Sequence, residues 1–176
     1  MIRISTCSLA GCFGCHMSFL DMDEKLADFS DKIEFDRSPF TDVRKMGKCE
    51  IGLIEGGLCN VENLKVLKEF RENCEILVAV GACAINGGIP AMRNHFSLDS
   101  CLREAYVEGI GIENPQIPSD PELPMLLDKV RPVFEAVRID YFLPGCPPPA
   151  EAFVILLEAL LKGQKPVLPE NLIRYD

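Results

Sequence analysis

Ile76-Leu77-Val78-Ala79-Val80-Gly81-Ala82-Cys83-Ala84 decides the fold. Its first five residues are all apolar, a run too short for an ordinary helix and stopped by glycine. That pattern belongs to a strand buried on both faces. Such strands lie in parallel sheets with helices packed on each side. Upstream, Val61, Leu64, Leu67 and Phe70 recur at helical spacing behind Asn60, a favourable helix cap. Before that helix, Glu50-Ile51-Gly52-Leu53-Ile54 reads as another strand, ending at Glu55-Gly56-Gly57.

The same alternation extends both ways. Ile2 to Thr6 is predicted as the first strand, followed by a Gly/Cys turn. A helix is predicted from about Ser18, carrying Phe19, Met22, Leu26 and Phe29 on one face. Ile33 to Asp36 reads as a short second strand, broken by Ser38-Pro39. Downstream, Arg138 to Leu143 reads as a fifth strand. The last helix buries Ala150, Phe153, Val154, Leu157, Leu160 and Leu161, and Lys162-Gly163 closes it. The expected fold class is α/β, a flavodoxin-like three-layer sandwich around a five-stranded parallel sheet. The expected organisation is one domain over 1–176, with an irregular insert at 86–137 and a tail over 164–176. The insert holds Gly87-Gly88, a helix presenting Leu98, Cys101, Leu102 and Ala105, and a loop with Pro115, Pro118, Pro121 and Pro124. A loop that long is usually functional or covers a partner.

Composition narrows the function. The chain has 176 residues, 48% hydrophobic and 26% charged, with a net charge of −9. At this size folding hides roughly 70% of the unfolded surface. The acidic balance argues against nucleic acid and against an anionic membrane surface. No stretch approaches the ~20 apolar residues of a membrane span. Met1-Ile2-Arg3-Ile4-Ser5 lacks a signal-peptide layout, so a cytoplasmic location is expected. Nine cysteines are many for a reducing compartment and point to metal or redox chemistry.

Open α/β sheets bind ligands at the carboxyl ends of their strands. By that rule Cys12 and Cys15, Cys83 and Cys146 should meet at one rim, with Glu55 among them. Four such thiols suit an iron–sulfur cluster or zinc, with free thiols the remaining alternative. One close pair plus two singletons, and Pro147 directly after Cys146, favour the cluster. Gly11 and Gly14 allow close approach, and amides at the following helix start could donate to sulfides. Cys12-Phe13-Gly14-Cys15-His16 also fits the haem attachment spacing, but haem c is attached outside the cytoplasm. A thioredoxin-type dithiol would leave Cys83 and Cys146 unexplained. Cys7, Cys49, Cys74 and Cys101 read as core residues, whereas Cys59 is near enough to Glu55 to approach the site. Glu55 is a candidate cluster neighbour, as proton relay, potential tuner or occasional iron ligand. His16 reads as a solvated or hydrogen-bonded side chain with no ligand role.

Four blocks then resemble one family. Ala10-Gly11-Cys12-Phe13-Gly14-Cys15-His16-Met17-Ser18-Phe19-Leu20-Asp21 is similar to the first motif of the small subunit of soluble, pyridine-nucleotide-linked nickel–iron hydrogenases. Glu55-Gly56-Gly57-Leu58-Cys59-Asn60, then Gly81-Ala82-Cys83-Ala84 with Pro90-Ala91-Met92-Arg93-Asn94, and finally Leu143-Pro144-Gly145-Cys146-Pro147-Pro148 continue it in order. The related subunit of respiratory complex I has adjacent cysteines in its first motif, whereas Phe13 and Gly14 separate them here. Ala82 stands where that family often has a polar residue.

The resemblance implies that Cys12, Cys15, Cys83 and Cys146 hold one 4Fe–4S cluster. It implies a large partner subunit carrying the nickel–iron centre, where hydrogen is split. It further implies that electrons pass to NAD-reducing flavin and iron–sulfur subunits, or to NAD together with ferredoxin if the assembly bifurcates. The expected contact surfaces are the cluster rim and the 86–137 segment. FMN bound to a flavodoxin-like site is the rival from another class, not favoured because no separate phosphate loop is seen. A zinc-stapled interaction subunit and a hydrogenase subunit serving another acceptor are further alternatives.

Overall fold

A computed structural model describes residues 1–174. The first strand, β1 (Ile2–Ser8), leads into two short helices, α1 (Gly14–Leu20) and α2 (Glu24–Ala27). β2 (Ile33–Phe35) and β3 (Cys49–Glu55) follow, then β4 (Leu58–Asn60), α3 (Val61–Asn73) and β5 (Cys74–Val80). Next come α4 (Gly81–Asn86), a 3-10 helix at Ile89–His95, and α5 (Leu98–Arg103) continued by a π-helical turn at Glu104–Glu108. β6 (Leu126–Arg131), β7 (Tyr141–Leu143) and α6 (Ala150–Leu161) complete the main elements.

The five-stranded sheet has the order β2-β1-β3-β5-β7, and every pair in it is parallel. This is the doubly wound, flavodoxin-like arrangement expected. Alternation along β5 explains its unbroken apolar run. Val78 and Val80 pack on one face with Ile4, Phe19, Leu53 and Phe153, while Leu77 and Ala79 pack on the other with Ile54, Leu67 and Phe70. Asn60 caps α3 as predicted, accepting from the Asn63 amide at 2.8 Å. Asn63 returns a side-chain bond to the Cys59 amide at 3.0 Å, so the cap is reciprocal.

Three expectations are corrected. The helix expected from Ser18 begins at Gly14 and is broken at Asp23, whose φ is +49°. Its apolar stripe still works, because Phe19, Met22 and Phe29 are all buried. The fifth strand shortens to Tyr141–Leu143: the Asp140 amide still donates to the Leu77 carbonyl (2.9 Å), but its carboxylate, not a backbone carbonyl, accepts from the Leu77 amide (2.9 Å) and from Arg71 (2.7 Å). The 86–137 insert is not irregular throughout. It contributes β6, which pairs antiparallel with β4 in a small second sheet. Arg93 clamps this ribbon through the Leu127 and Asp128 carbonyls, and Asn94 bonds both backbone groups of Val130. The last two residues of the tail expected over 164–176 lie outside the described residues.

Candidate metal centre

The strands deliver their carboxyl ends to one rim, as parallel connectivity requires. Cys12 and Cys15 follow β1 and sit at the start of α1. Cys83 lies in α4, directly after β5, and Cys146 lies in the loop after β7. Together with Gly11, Gly14, Glu55, Gly56, Ala82, Gly145 and Pro147, the four cysteines line one pocket of about 400 Å³ of empty space, open to solvent. Among the described residues, no three His, Cys, Asp or Glu side chains converge tightly enough to grip a single metal ion.

The wall is built from small residues for steric reasons. Gly81 has φ +80°, and a Cβ there would run into Cys15 Sγ. At Gly56, φ +84°, a Cβ would lie 2.8 Å from the Ala10 nitrogen. Both positions combine left-handed backbone with close approach, so only glycine fits. Phe13 itself takes φ +68°, an uncommon conformation for a bulky residue, and turns the chain between the two close cysteines.

Electrostatics define what the pocket will accept. Burial, then the Glu55 carboxylate, push the Cys15 thiol well above its ordinary value. Burial, then the neighbouring Cys146 and Cys12, raise Cys83 as well. No lysine or arginine lines the pocket. These thiols are therefore reluctant to ionise by themselves, and a cationic group between them, such as iron, would favour their thiolate forms. By donor softness and by the absence of a competing cationic side chain, these residues fit an iron–sulfur cluster.

Glu55 is 3% exposed and both of its oxygens are engaged. Oε2 accepts from the Cys15 amide at 3.0 Å, and Oε1 accepts from His16 Nδ1 at 2.7 Å. Burial acts to raise its pKa, but the hydrogen bond and charge of His16, with bonds from Ser8 and Cys15, outweigh it and hold the carboxyl below its ordinary range. The Cys15 amide, at the helix start, is thus committed to this carboxylate. His16 is buried rather than solvated. Its ring stacks on Phe13 (4.6 Å between centroids) and meets Phe40 edge-on. Its Nε2 bonds Thr6 Oγ1 at 2.9 Å, and Thr6 bonds Ser38 Oγ at 2.7 Å. In either protonation state His16 Nδ1 donates to Glu55: a neutral ring accepts at Nε2 from Thr6, which accepts from Ser38, and a protonated ring donates at Nε2 to Thr6, which donates to Ser38.

Sequence reasoning misses this hydrogen-bonded chain. Thr6 and Ser38 are ordinary strand-end hydroxyls, and nothing in their spacing links them to His16. Cys59 does not reach the pocket, because β4 carries it into the second sheet. Cys49 and Cys74 are buried in the core, as expected.

A doubly wound sheet with this cysteine-lined rim defines a class of iron–sulfur subunit shared by respiratory complex I and hydrogenases. The chain belongs to the family described as NADH ubiquinone oxidoreductase, 20 Kd subunit, which matches residues 12–160. It is 45% identical over 179 residues to the delta subunit of the NAD-reducing hydrogenase HoxS of Cupriavidus necator, covering 99% of this chain and 86% of that one. It is 38% identical to a subunit of the F420-non-reducing hydrogenase of Methanothermobacter marburgensis, covering 97% of this chain but only 56% of that protein. Among solved structures, a chain of a NAD+-reducing NiFe hydrogenase in the H2-reduced state superposes with a TM-score of 0.97 at 52% identity, over 99% of both chains. A NiFeSe hydrogenase from Desulfomicrobium baculatum, at 18% identity and a TM-score of 0.57, shares the fold over 96% of this chain and 66% of that one. Among the described residues, no helix is long and apolar enough to cross a membrane.

Proposed function

We propose that this chain is the electron-transfer small subunit of a cytoplasmic nickel–iron hydrogenase, delivering electrons toward an NAD-reducing flavin and iron–sulfur module. One observation carries the reading: four cysteines from the segments that follow three separate strands line a single rim pocket with no cationic side chain in its wall. Cys12, Cys15, Cys83 and Cys146 would hold one 4Fe–4S cluster, which when bound supplies one-electron redox chemistry at that rim. Identity is higher to the NAD-reducing relatives than to the F420-non-reducing one, which supports NAD as the eventual acceptor. Coupled reduction of ferredoxin is the bifurcating variant of the same reading.

The chain's own residues position and tune. Glu55 is a positioning residue: it ties the Cys15 amide to β3 while its fixed negative charge biases the pocket against further negative charge. His16, Thr6 and Ser38 keep that carboxylate in place. Gly56 and Gly81 admit the neighbouring loops. Partner contact falls to the 86–137 segment, where Ile89, Met92, Phe96, Ile110, Leu123 and Met125 are exposed. This apolar surface fits a large, permanent interface with the nickel–iron subunit.

Purification with the partner subunits tests the reading. Iron and acid-labile sulfide bound to this chain, a cluster signal in electron paramagnetic resonance, and hydrogen-dependent reduction of NAD by the assembly are expected. Zinc without sulfide, or a flavin spectrum without iron, would overturn it. Hydrogen-dependent dye reduction by this chain alone would overturn the division of labour.

A further inference from the structure

At the opposite rim of the sheet, away from the cysteine-lined pocket, two other cysteines face each other. Cys49 opens β3, Cys74 opens β5, and the two residues are direct register partners on neighbouring parallel strands. Their sulfurs lie 2.8 Å apart, closer than two thiols in ordinary contact. Neighbouring strands run ~4.8 Å apart, within the Cα separation that a disulfide bridges. Cys49 is 2% exposed and Cys74 5%. Gly52 makes the fit possible, because a Cβ there would lie 2.6 Å from Cys74 Sγ.

We infer that Cys49 and Cys74 form a thiol–disulfide site that reversibly cross-links the two central strands, with a small peroxide as its oxidant. The burial that excludes a bulky disulfide reagent admits hydrogen peroxide once the strand ends open. Cys49 releases its proton, its thiolate attacks one peroxide oxygen, the O–O bond breaks, the leaving hydroxide takes up that proton as water, and Cys49 becomes a sulfenic acid. Cys74 sulfur then attacks Cys49 sulfur, the S–O bond breaks, and water departs with the Cys74 proton. Two thiols and one peroxide yield one disulfide and two waters. Cys49 is suited to the nucleophilic part: hydrogen bonds from Cys74 and Ser5 outweigh burial and lower its pKa, whereas the bond to Cys49 and burial raise that of Cys74. The same β3 and β5 carry Glu55 and the loop to Cys83 at their far ends. The cross-link therefore stiffens the two strands that present them.

The test uses the full chain, purified anaerobically with whatever subunits accompany it, and treated with equimolar hydrogen peroxide. Denaturing alkylation and peptide mapping should show Cys49 and Cys74 losing both labels together, in one linked peptide pair. A thiol reductant should restore both, and visible absorbance from any bound iron should be retained. Cys49→Ala should leave Cys74 fully labelled after peroxide, whereas Cys74→Ala should leave Cys49 as an unresolved sulfenic acid, blocked to alkylation and captured by a cyclic 1,3-diketone. If both wild-type thiols still take label under conditions that oxidise an exposed control thiol, the inference is wrong. It is equally wrong if Cys74 loses its label in Cys49→Ala. Should the variants fail to fold, the wild-type linked peptide decides alone.

Discussion

Replacing Gly81 with alanine tests whether the pocket wall is steric in origin. Gly81 has φ +80°, and a Cβ would collide with Cys15 Sγ. Gly163 is the natural control, because its φ is +66° and nothing lies within 4 Å of a Cβ built on it. Both variants incur the left-handed backbone cost, partly offset by the smaller entropy of the unfolded chain, about 1 kcal/mol net. Only Gly81→Ala adds overpacking, a further ~1–3 kcal/mol. The expected losses are therefore about 1 kcal/mol for Gly163→Ala and about 2–4 kcal/mol for Gly81→Ala. At ~2–4 °C per kcal/mol for a chain of this size, the two melting temperatures should separate clearly. Thermal unfolding followed by circular dichroism reads the stability, and iron per chain reads the site. Gly163→Ala should keep its iron, and Gly81→Ala should lose it, since Cys15 must move. Equal melting temperatures and equal iron contents in the two variants would refute the steric account.

Two further outcomes follow from carboxylates held by hydrogen bonds, Glu55 and Asp140. His16→Ala should cost about 3 kcal/mol, because it leaves the Glu55 carboxylate buried beside an empty space. Adding Glu55→Gln should recover part of that loss in denaturant unfolding, and a cost indistinguishable from zero would exclude an ionised, His16-held Glu55. Asp140→Asn should cost about 1–3 kcal/mol by weakening the Arg71 bond. Burial acts to raise the Asp140 pKa, but hydrogen bonds from Arg71 and Leu77 with the charges of Arg71 and Arg138 overcome it, so the folded value lies below the unfolded one. This stabilisation is therefore present above the unfolded value of ~3.9 and is lost as pH falls through the folded value. The stability difference between wild type and Asp140→Asn should shrink on acidification, and a difference that grows below pH ~4 would contradict that sign.

The cysteine rim is legible in the sequence because its logic is local. A continuous apolar run announces a buried parallel strand, strands in such sheets point the same way, and each of the four cysteines follows closely on the end of a strand. The same locality explains the misses. β4 has three residues and β6 has a mixed pattern, so neither signals itself, and each exists only because the other lies alongside. Asp140 reads as strand because a polar residue in an alternating run looks like a solvent-facing position. In the fold it has a better partner in Arg71.

The order of residues alone is enough for the doubly wound α/β class, the helix caps at Asn60 and Gly163, and the family motifs that contain the four rim cysteines. These follow from side-chain periodicity and backbone sterics, which act between near neighbours. Only the assembled fold brings Glu55 to Cys15 and His16, extends this chain through Thr6 and Ser38, and sets Cys49 against Cys74. Most of these pairings depend on strand register across 25 or more residues. Register is set by packing both faces of the sheet at once, a collective condition that no short stretch of sequence expresses.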